Sequence, residues 1–191
     1  MPNTATEQTG FTDQFLIAMP QLADPNFFKT VTYLCEHNKE GAMGVTINRP
    51  LEMSVAHMLD QIDIPVLDPT LHKTNVMQGG PVQPERGFVL HSPASEWDSS
   101  AQISKDLSLT TSRDILVAIG EGQGPEKFLI SLGYAGWGPD QLEQEIINNA
   151  WLNGPADYRI LFDSPYQQRW AQAAENMGVD LDKLSVQAGH A

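Results

Sequence analysis

A few positions in this 191-residue chain carry side chains whose type and spacing suit chemistry. Cys35 and His37 are two apart in Tyr33-Leu34-Cys35-Glu36-His37. A thiol becomes a nucleophile when an imidazole takes its proton. On a regular strand, residues i and i+2 share a face with Cβ atoms about 6.5–7 Å apart, too far for an unassisted hydrogen bond. The plain alternative is a buried small thiol beside a polar strand end. Asn48-Arg49-Pro50 sets a guanidinium at a strand end, suited to clamping a carboxylate or phosphate, or to an ion pair within an acidic protein. Gly79-Gly80-Pro81-Val82 follows an apolar strand. Its backbone N–H groups suit an anion, and its glycines equally suit a tight turn. His91, before Ser92-Pro93, reads as a ligand or acid–base group, or as a hydrogen-bonded structural histidine. Strand ends are where α/β clefts form. A single cleft is therefore expected to gather Asn48, Arg49, Gly79, Gly80 and His91, with Cys35 nearby.

Other patterns lead away from catalysis. Gly120-x-Gly122-x-Gly124 follows a helical pattern and precedes a strand, the reverse of a dinucleotide fingerprint, and reads as a helix stop. No Walker sequence, GxSxG elbow or HExxH pair occurs. Glu143 and Glu145, two apart on a helix, do not share a face and read as solvated surface. The single cysteine excludes an intramolecular disulfide, and no Cys/His cluster has metal-ligand spacing. No catalytic residue, metal site or cofactor is assigned.

Charge narrows the classes further. The chain carries 24 acidic and 11 basic residues, a net of −13, and no two basic residues are adjacent in sequence. Nucleic-acid binders carry a basic stripe that displaces counterions from phosphates. None is visible, so direct nucleic-acid contact is disfavoured, and so is adhesion to anionic membranes. Residues 1–12 lack the basic and apolar regions of a secretory signal, and no apolar run approaches the roughly 20 residues that span a bilayer. The expected compartment is the cytoplasm.

The elements that must position these residues follow from periodicity. Residues 1–12, rich in Thr and Gln, read as a disordered tail, and 13–191 as one domain. Phe15 to Met19 is a buried strand closed by Pro20. Asp24 caps a turn over Pro25 to Phe28. Val31 to His37 and Ala42 to Asn48 form a hairpin around Asn38-Lys39-Glu40-Gly41. Ser54 caps a helix with Val55, Met58, Leu59 and Ile62 on one face. Strands are expected at Asn75–Gln78, Gly87–His91, Ile103–Leu109, Lys127–Leu132 and Tyr158–Phe162. Thr111 and Asp114 start a helix that runs to Ile119. Another begins near Pro139, and the last starts at Ser164-Pro165 and stops at Gly178. Trp137, Trp151 and Trp170 read as core or interface anchors. Early paired strands with later helices predict a mixed α+β fold.

At this point the chain resembles the AlgH/YqgE family of small bacterial proteins. The resemblance rests on Met19-Pro20, the Asp24 to Phe28 turn, Gly44-Val45 with Asn48-Arg49-Pro50, Gly79-Gly80-Pro81-Val82, Leu90-His91, and Gly133-Tyr134-Ala135-Gly136-Trp137 with Gln141-Leu142-Glu143. The motifs recur in that order across nearly the whole chain after the tail. Asp140 stands where the pattern has glycine. The resemblance implies a cytoplasmic bacterial protein with a compact α/β fold, of a largely uncharacterised family, and an association with transcriptional regulation. It supplies no catalytic residue. With no basic stripe, regulation is expected to be indirect, through a protein partner or a small anionic ligand. The alternative is an unrecognised enzyme or small-anion-binding protein with its pocket at Asn48, Arg49, Gly79 and Gly80.

Overall fold

The structure, a computed structural model, describes residues 10–187. The apolar run after Asp13 forms β1 (Gln14–Ala18), and the hairpin follows as β2 (Val31–Asn38) and β3 (Gly41–Thr46). Pro50 opens β4 (Pro50–Ser54). The Ser54 hydroxyl accepts from the His57 N–H at 3.1 Å and so caps α1 (Val55–Gln61). A 3-10 turn at Pro69–His72 leads into β5 (Asn75–Gln78) and the long β6 (Val82–Ser92). Then come β7 (Ser100–Gln102), β8 (Ser108–Thr110), α2 (Arg113–Gly120) and β9 (Lys127–Trp137). The chain continues through α3 (Gln141–Ile147), β10 (Trp151–Pro155), α4 (Tyr158–Phe162), α5 (Arg169–Asn176) and α6 (Leu181–Gln187).

Among the described residues the strands join in the order β10-β1-β2-β3-β9-β6-β8-β7, with β5 running parallel to β9 and holding β4 on its other side. Every other pairing is antiparallel. This is a mixed α+β fold, as the sequence predicts. The sheet curls. Phe15 and Ile17 of β1 share one apolar cluster with Ile103 and Leu107 from the opposite end of the strand order. A polar bolt spans the same gap: Asp13 Oδ1 accepts from the hydroxyls of Tyr33 (2.6 Å) and Tyr158 (3.0 Å), and the Tyr158 oxygen lies 2.7 Å from Ser104 Oγ. Helices α4 to α6 pack on this concave side, while α1 and α2 cover a second cluster on the other face.

The central strand β9 serves both faces and exchanges them midway. Leu129 points into the first cluster and Ile130 into the second. Beyond Gly133, Ala135 and Trp137, still at odd positions, lie instead in a third cluster with Leu34, Leu142 and Trp151. Regular alternation would have kept them beside Leu129. Gly133 makes the change at φ +76°, and a Cβ there would lie 2.4 Å from the Gly80 carbonyl oxygen.

Several expectations need correction. Tyr158–Phe162 is the helix α4, not a strand. Asp157 caps it by accepting from the Arg159 N–H at 2.9 Å, and the edge beside β1 is already taken by Trp151–Pro155. A short apolar run suits either element, and here tertiary placement decided. The strand expected over Ile103–Leu109 is mostly the turn between β7 and β8: Ile103 N–H bonds back to the Leu107 carbonyl, and only Ser108 and Leu109 of that span lie in a strand. Ser164 does not cap the last helix: a 3-10 turn at Tyr166–Gln168 intervenes before α5. The helix α6 after Gly178 had no expectation attached. Of the N-terminal tail, residues 1–9 lie outside the described residues, while Phe11 stacks on the His37 ring and Thr12 accepts from the His37 N–H. Asp140, where the family pattern has glycine, adopts φ 60°, ψ −2°, a left-handed conformation that Asp tolerates better than most residues.

The Gly80–Gly133 crossing leaves no space for a side chain. Gly133→Ala is expected to lower unfolding stability by about 2–4 kcal/mol through combined backbone strain and overpacking. Urea unfolding followed by tryptophan fluorescence would measure it, and a change under about 1 kcal/mol would contradict this account of the strand.

A candidate ligand-binding cleft

The residues singled out from sequence turn out to be engaged within the fold. Asn48 Oδ1 accepts from the Val31 N–H (2.9 Å), and its Nδ2 donates to the Lys29 carbonyl (2.9 Å). Arg49 Nη1 donates to the carbonyls of Pro25 (2.8 Å) and Asn26 (2.7 Å), and Nη2 to that of Phe28 (3.0 Å). The guanidinium thus fastens the Asp24–Phe28 turn to the strand end, and partial burial lowers its pKa. Gly79 N–H donates to the Leu132 carbonyl, and its own carbonyl accepts from the Thr46 N–H, both at 2.8 Å. Arg49 and Gly80 do share a small cleft with Asn26, Gln78 and Pro81, too narrow to admit a water molecule.

His91 and Cys35 lie apart from that cleft. His91 is fully buried. Its Nδ1–H donates to the Pro93 carbonyl (3.1 Å), because a carbonyl can only accept, so Nε2 accepts from the Thr110 hydroxyl (2.7 Å). Thr110 Oγ1 in turn takes the Ser100 hydroxyl proton (2.7 Å). Burial pushes the imidazole pKa below its ordinary value. Cys35 is buried in the first apolar cluster with its thiol toward the Tyr33 carbonyl, and burial pushes its pKa up. A register shift between Leu34 and Glu36 makes Cys35 the bulged residue and reverses the alternation after it. Cys35 and His37 therefore do not share a face. His37 turns toward the third cluster, where its Nδ1 accepts from the Phe11 N–H (2.9 Å) and its Nε2–H donates to Glu143 Oε1 (2.5 Å).

Neither glutamate of α3 is merely solvated. The Glu143 carboxylate is held below its ordinary range, first by its own backbone N–H and further by His37. Glu145 is pushed up by burial beside Trp137 and Trp151.

Sequence reasoning missed the open site. Between α1, α2 and the sheet lies a cleft of about 340 Å³, within the range of small-molecule sites. Met58 of α1 and Ile62 at its C-terminal end, with Met53 just before the helix, form one wall, and Leu116 of α2 another. The floor is Gly87 and Val89 of β6 beside their register partners Leu132 and Ile130 of β9. Thr110, Thr111 and Ser112 close one end, and Gln61 and Glu85 are the other polar lining residues. Gly87 is the telling position. Its φ is not left-handed, and a Cβ added there would meet no atom within 4 Å. Neither backbone nor packing requires glycine, yet its missing side chain keeps the floor open. An isolated glycine inside an alternating strand was the available signal, although from sequence alone it marks a bulge equally well.

Fold and site together define a small mixed α+β protein with a curled sheet and a helix-covered apolar cleft. A family model described as DUF179, AlgH-like, matches residues 15–182, and the chain belongs to this family. It is 55% identical over 186 residues to a UPF0301 protein of Thioalkalivibrio sulfidiphilus, covering 97% of this chain and 100% of that one. A UPF0301 protein of Nitrosococcus oceani is 53% identical over 181 residues, covering 95% and 97%. The solution structure of the AlgH protein from Pseudomonas aeruginosa superposes with TM-score 0.78 at 49% identity, covering both chains fully. A crystal structure of protein DIP2367 from Corynebacterium diphtheriae shares the fold at TM-score 0.73 and 21% identity, covering 92% of each chain. Among the described residues no helix is long and apolar enough to cross a membrane.

Two measurements check the structural roles. Below the free imidazole pKa of about 6.5, the unfolded chain takes up a proton that folded His91 resists. The stability tied to neutral His91 is therefore present at pH 7.5 and lost as pH falls toward 5. Melting temperature across that range should fall more steeply in the wild type than in His91→Gln; parallel curves would count against the assignment. Arg49→Ala, which strips donors from three carbonyls that water can partly reach, should cost about 1–2 kcal/mol and speed amide exchange at residues 26–28.

Proposed function

We propose that this protein is a cytoplasmic regulatory binding module, not a catalyst, and that it acts by holding a small apolar molecule in the cleft between α1, α2 and the sheet. The observation that carries this reading is Gly87: a glycine the strand does not need, at the floor of a ligand-sized apolar space. The groups that suited catalysis from sequence are committed elsewhere. His91 is locked in a buried chain of hydrogen bonds, and Cys35 is buried with its thiol toward the Tyr33 carbonyl. Any influence on transcription is indirect, in keeping with how the cations are used. Arg49, Arg113 and Arg169 each donate to backbone carbonyls, Arg169 from deep in the core, and Lys127 pairs with Asp163 at 2.6 Å. Such groups are not free to replace counterions along a phosphate backbone.

An anion site at Asn48, Arg49, Gly79 and Gly80 is the second reading. The small cleft that Arg49 and Gly80 share favours it. Its narrowness, and the engagement of the Arg49 and Gly79 donors, favour the first reading.

The test is to fill the floor. Gly87→Val places a side chain where no neighbour stands, so the melting temperature should hold or rise slightly, while chemical-shift changes caused by small aromatic fragments at Gly87, Thr111 and Leu132 in the wild type should disappear. Unchanged fragment binding by a folded Gly87→Val protein would remove the cleft from the reading.

A further inference from the structure

The chemistry of the same cleft narrows its occupant, an inference that rests on the cleft reading above. The walls and floor are aliphatic and thioether: Met53, Met58, Leu116, Val89 and Ile130. Methionine side chains adapt to rings and chains of differing shape. Among the described residues the one ionisable side chain that lines the space is the Glu85 carboxylate, with the Gln61 amide as a further polar group. No lysine or arginine among the described residues lines it. Among nearby cations, Arg113 is held by donation to the Ile62 carbonyl (2.9 Å), and Arg86 lies over the Phe88 ring and reaches Gln83. At the α2 end, Ser112 donates to Asp114 Oδ1 (2.5 Å), so the hydroxyl proton there is taken by another carboxylate. The whole chain adds a net charge of −13, which raises the local concentration of cations and repels anions.

We infer that the cleft takes a small apolar amine: a ring or short hydrocarbon body buried between α1 and α2, with a protonated amino group directed to Glu85. An anionic head would meet a carboxylate and no free cation. A neutral molecule would keep the apolar contacts and forgo the charge attraction.

Three probes of near-equal size separate these cases: 2-phenylethylamine, 2-phenylethanol and phenylacetate, titrated into the isotopically labelled full chain at low salt and followed at the amides of Gly87, Thr111 and Leu132. The amine should bind about tenfold more tightly than the carboxylate, with the alcohol between them. Glu85→Gln, an exposed position, should erase the amine's advantage and leave the alcohol's affinity unchanged. Equal or tighter binding of phenylacetate, or an amine preference that survives Glu85→Gln, overturns the amine assignment while leaving the cleft reading in place. Absence of shifts with all three probes overturns both.

Discussion

Where β9 passes Gly80, two backbones meet with no side chain between them. A Cβ on Gly80 would fall 2.1 Å from the Tyr134 carbonyl carbon, and one on Gly133 would fall 2.4 Å from the Gly80 oxygen. The crossing fixes where β5 joins the sheet, because Gly79 N–H bonds to Leu132 just after the parallel pairing of Gln78 with that residue. It also sets which side chains of β9 face which layer. Before Gly133, even positions face α1 and α2; beyond it, odd positions reach the Trp137–Trp151 cluster beside α3. A single strand thus closes three apolar clusters. The cleft floor, Ile130 and Leu132, belongs to the stretch just before the reversal.

The polar groups follow from the same economy of space. A curled sheet with short helices leaves many backbone carbonyls at loop ends, and buried carbonyls need donors. Arg49 and Arg169 meet that need with long, permanently charged forks. Arg169 reaches the Ile47 carbonyl (2.6 Å) and the Ser164 carbonyl (2.9 Å), and burial lowers its pKa to about 10. His91 meets it as a ring that donates to the Pro93 carbonyl at Nδ1 and accepts from Thr110 at Nε2, while His37 ties the Phe11 N–H to the Glu143 carboxylate. Residue types that advertise chemistry are here the fastenings of an irregular backbone, and the open space is lined by residues that advertise nothing.

Part of this was legible beforehand. The hairpin, the Ser54 cap, the Asp24 turn and the strands around Val76, Val89 and Ile130 follow from local periodicity and capping, which act over a few residues. The Asp24–Phe28 turn even carries its partner in the sequence, since Arg49 was marked as a clamp; its target is this chain's own backbone. The α4 segment misled because Tyr-Arg-Ile-Leu-Phe is short enough for either element. The Cys35–His37 face assignment failed because one bulged residue inverts everything beyond it. The cleft was out of reach because its lining comes from six elements spread along the chain, and each of its apolar residues alone reads as core.

Sequence by itself determined the mixed α+β class, the family pattern, the strong acidity with scattered cations, and the absence of recognisable catalytic spacing. All of these are properties of composition and of neighbours along the chain. Tertiary structure alone decided which glycine bears a crossing and which leaves a cleft open, whether an arginine faces a ligand or a carbonyl, and on which side of a sheet a histidine falls. Those outcomes depend on contacts between residues tens of positions apart, and no local pattern encodes them.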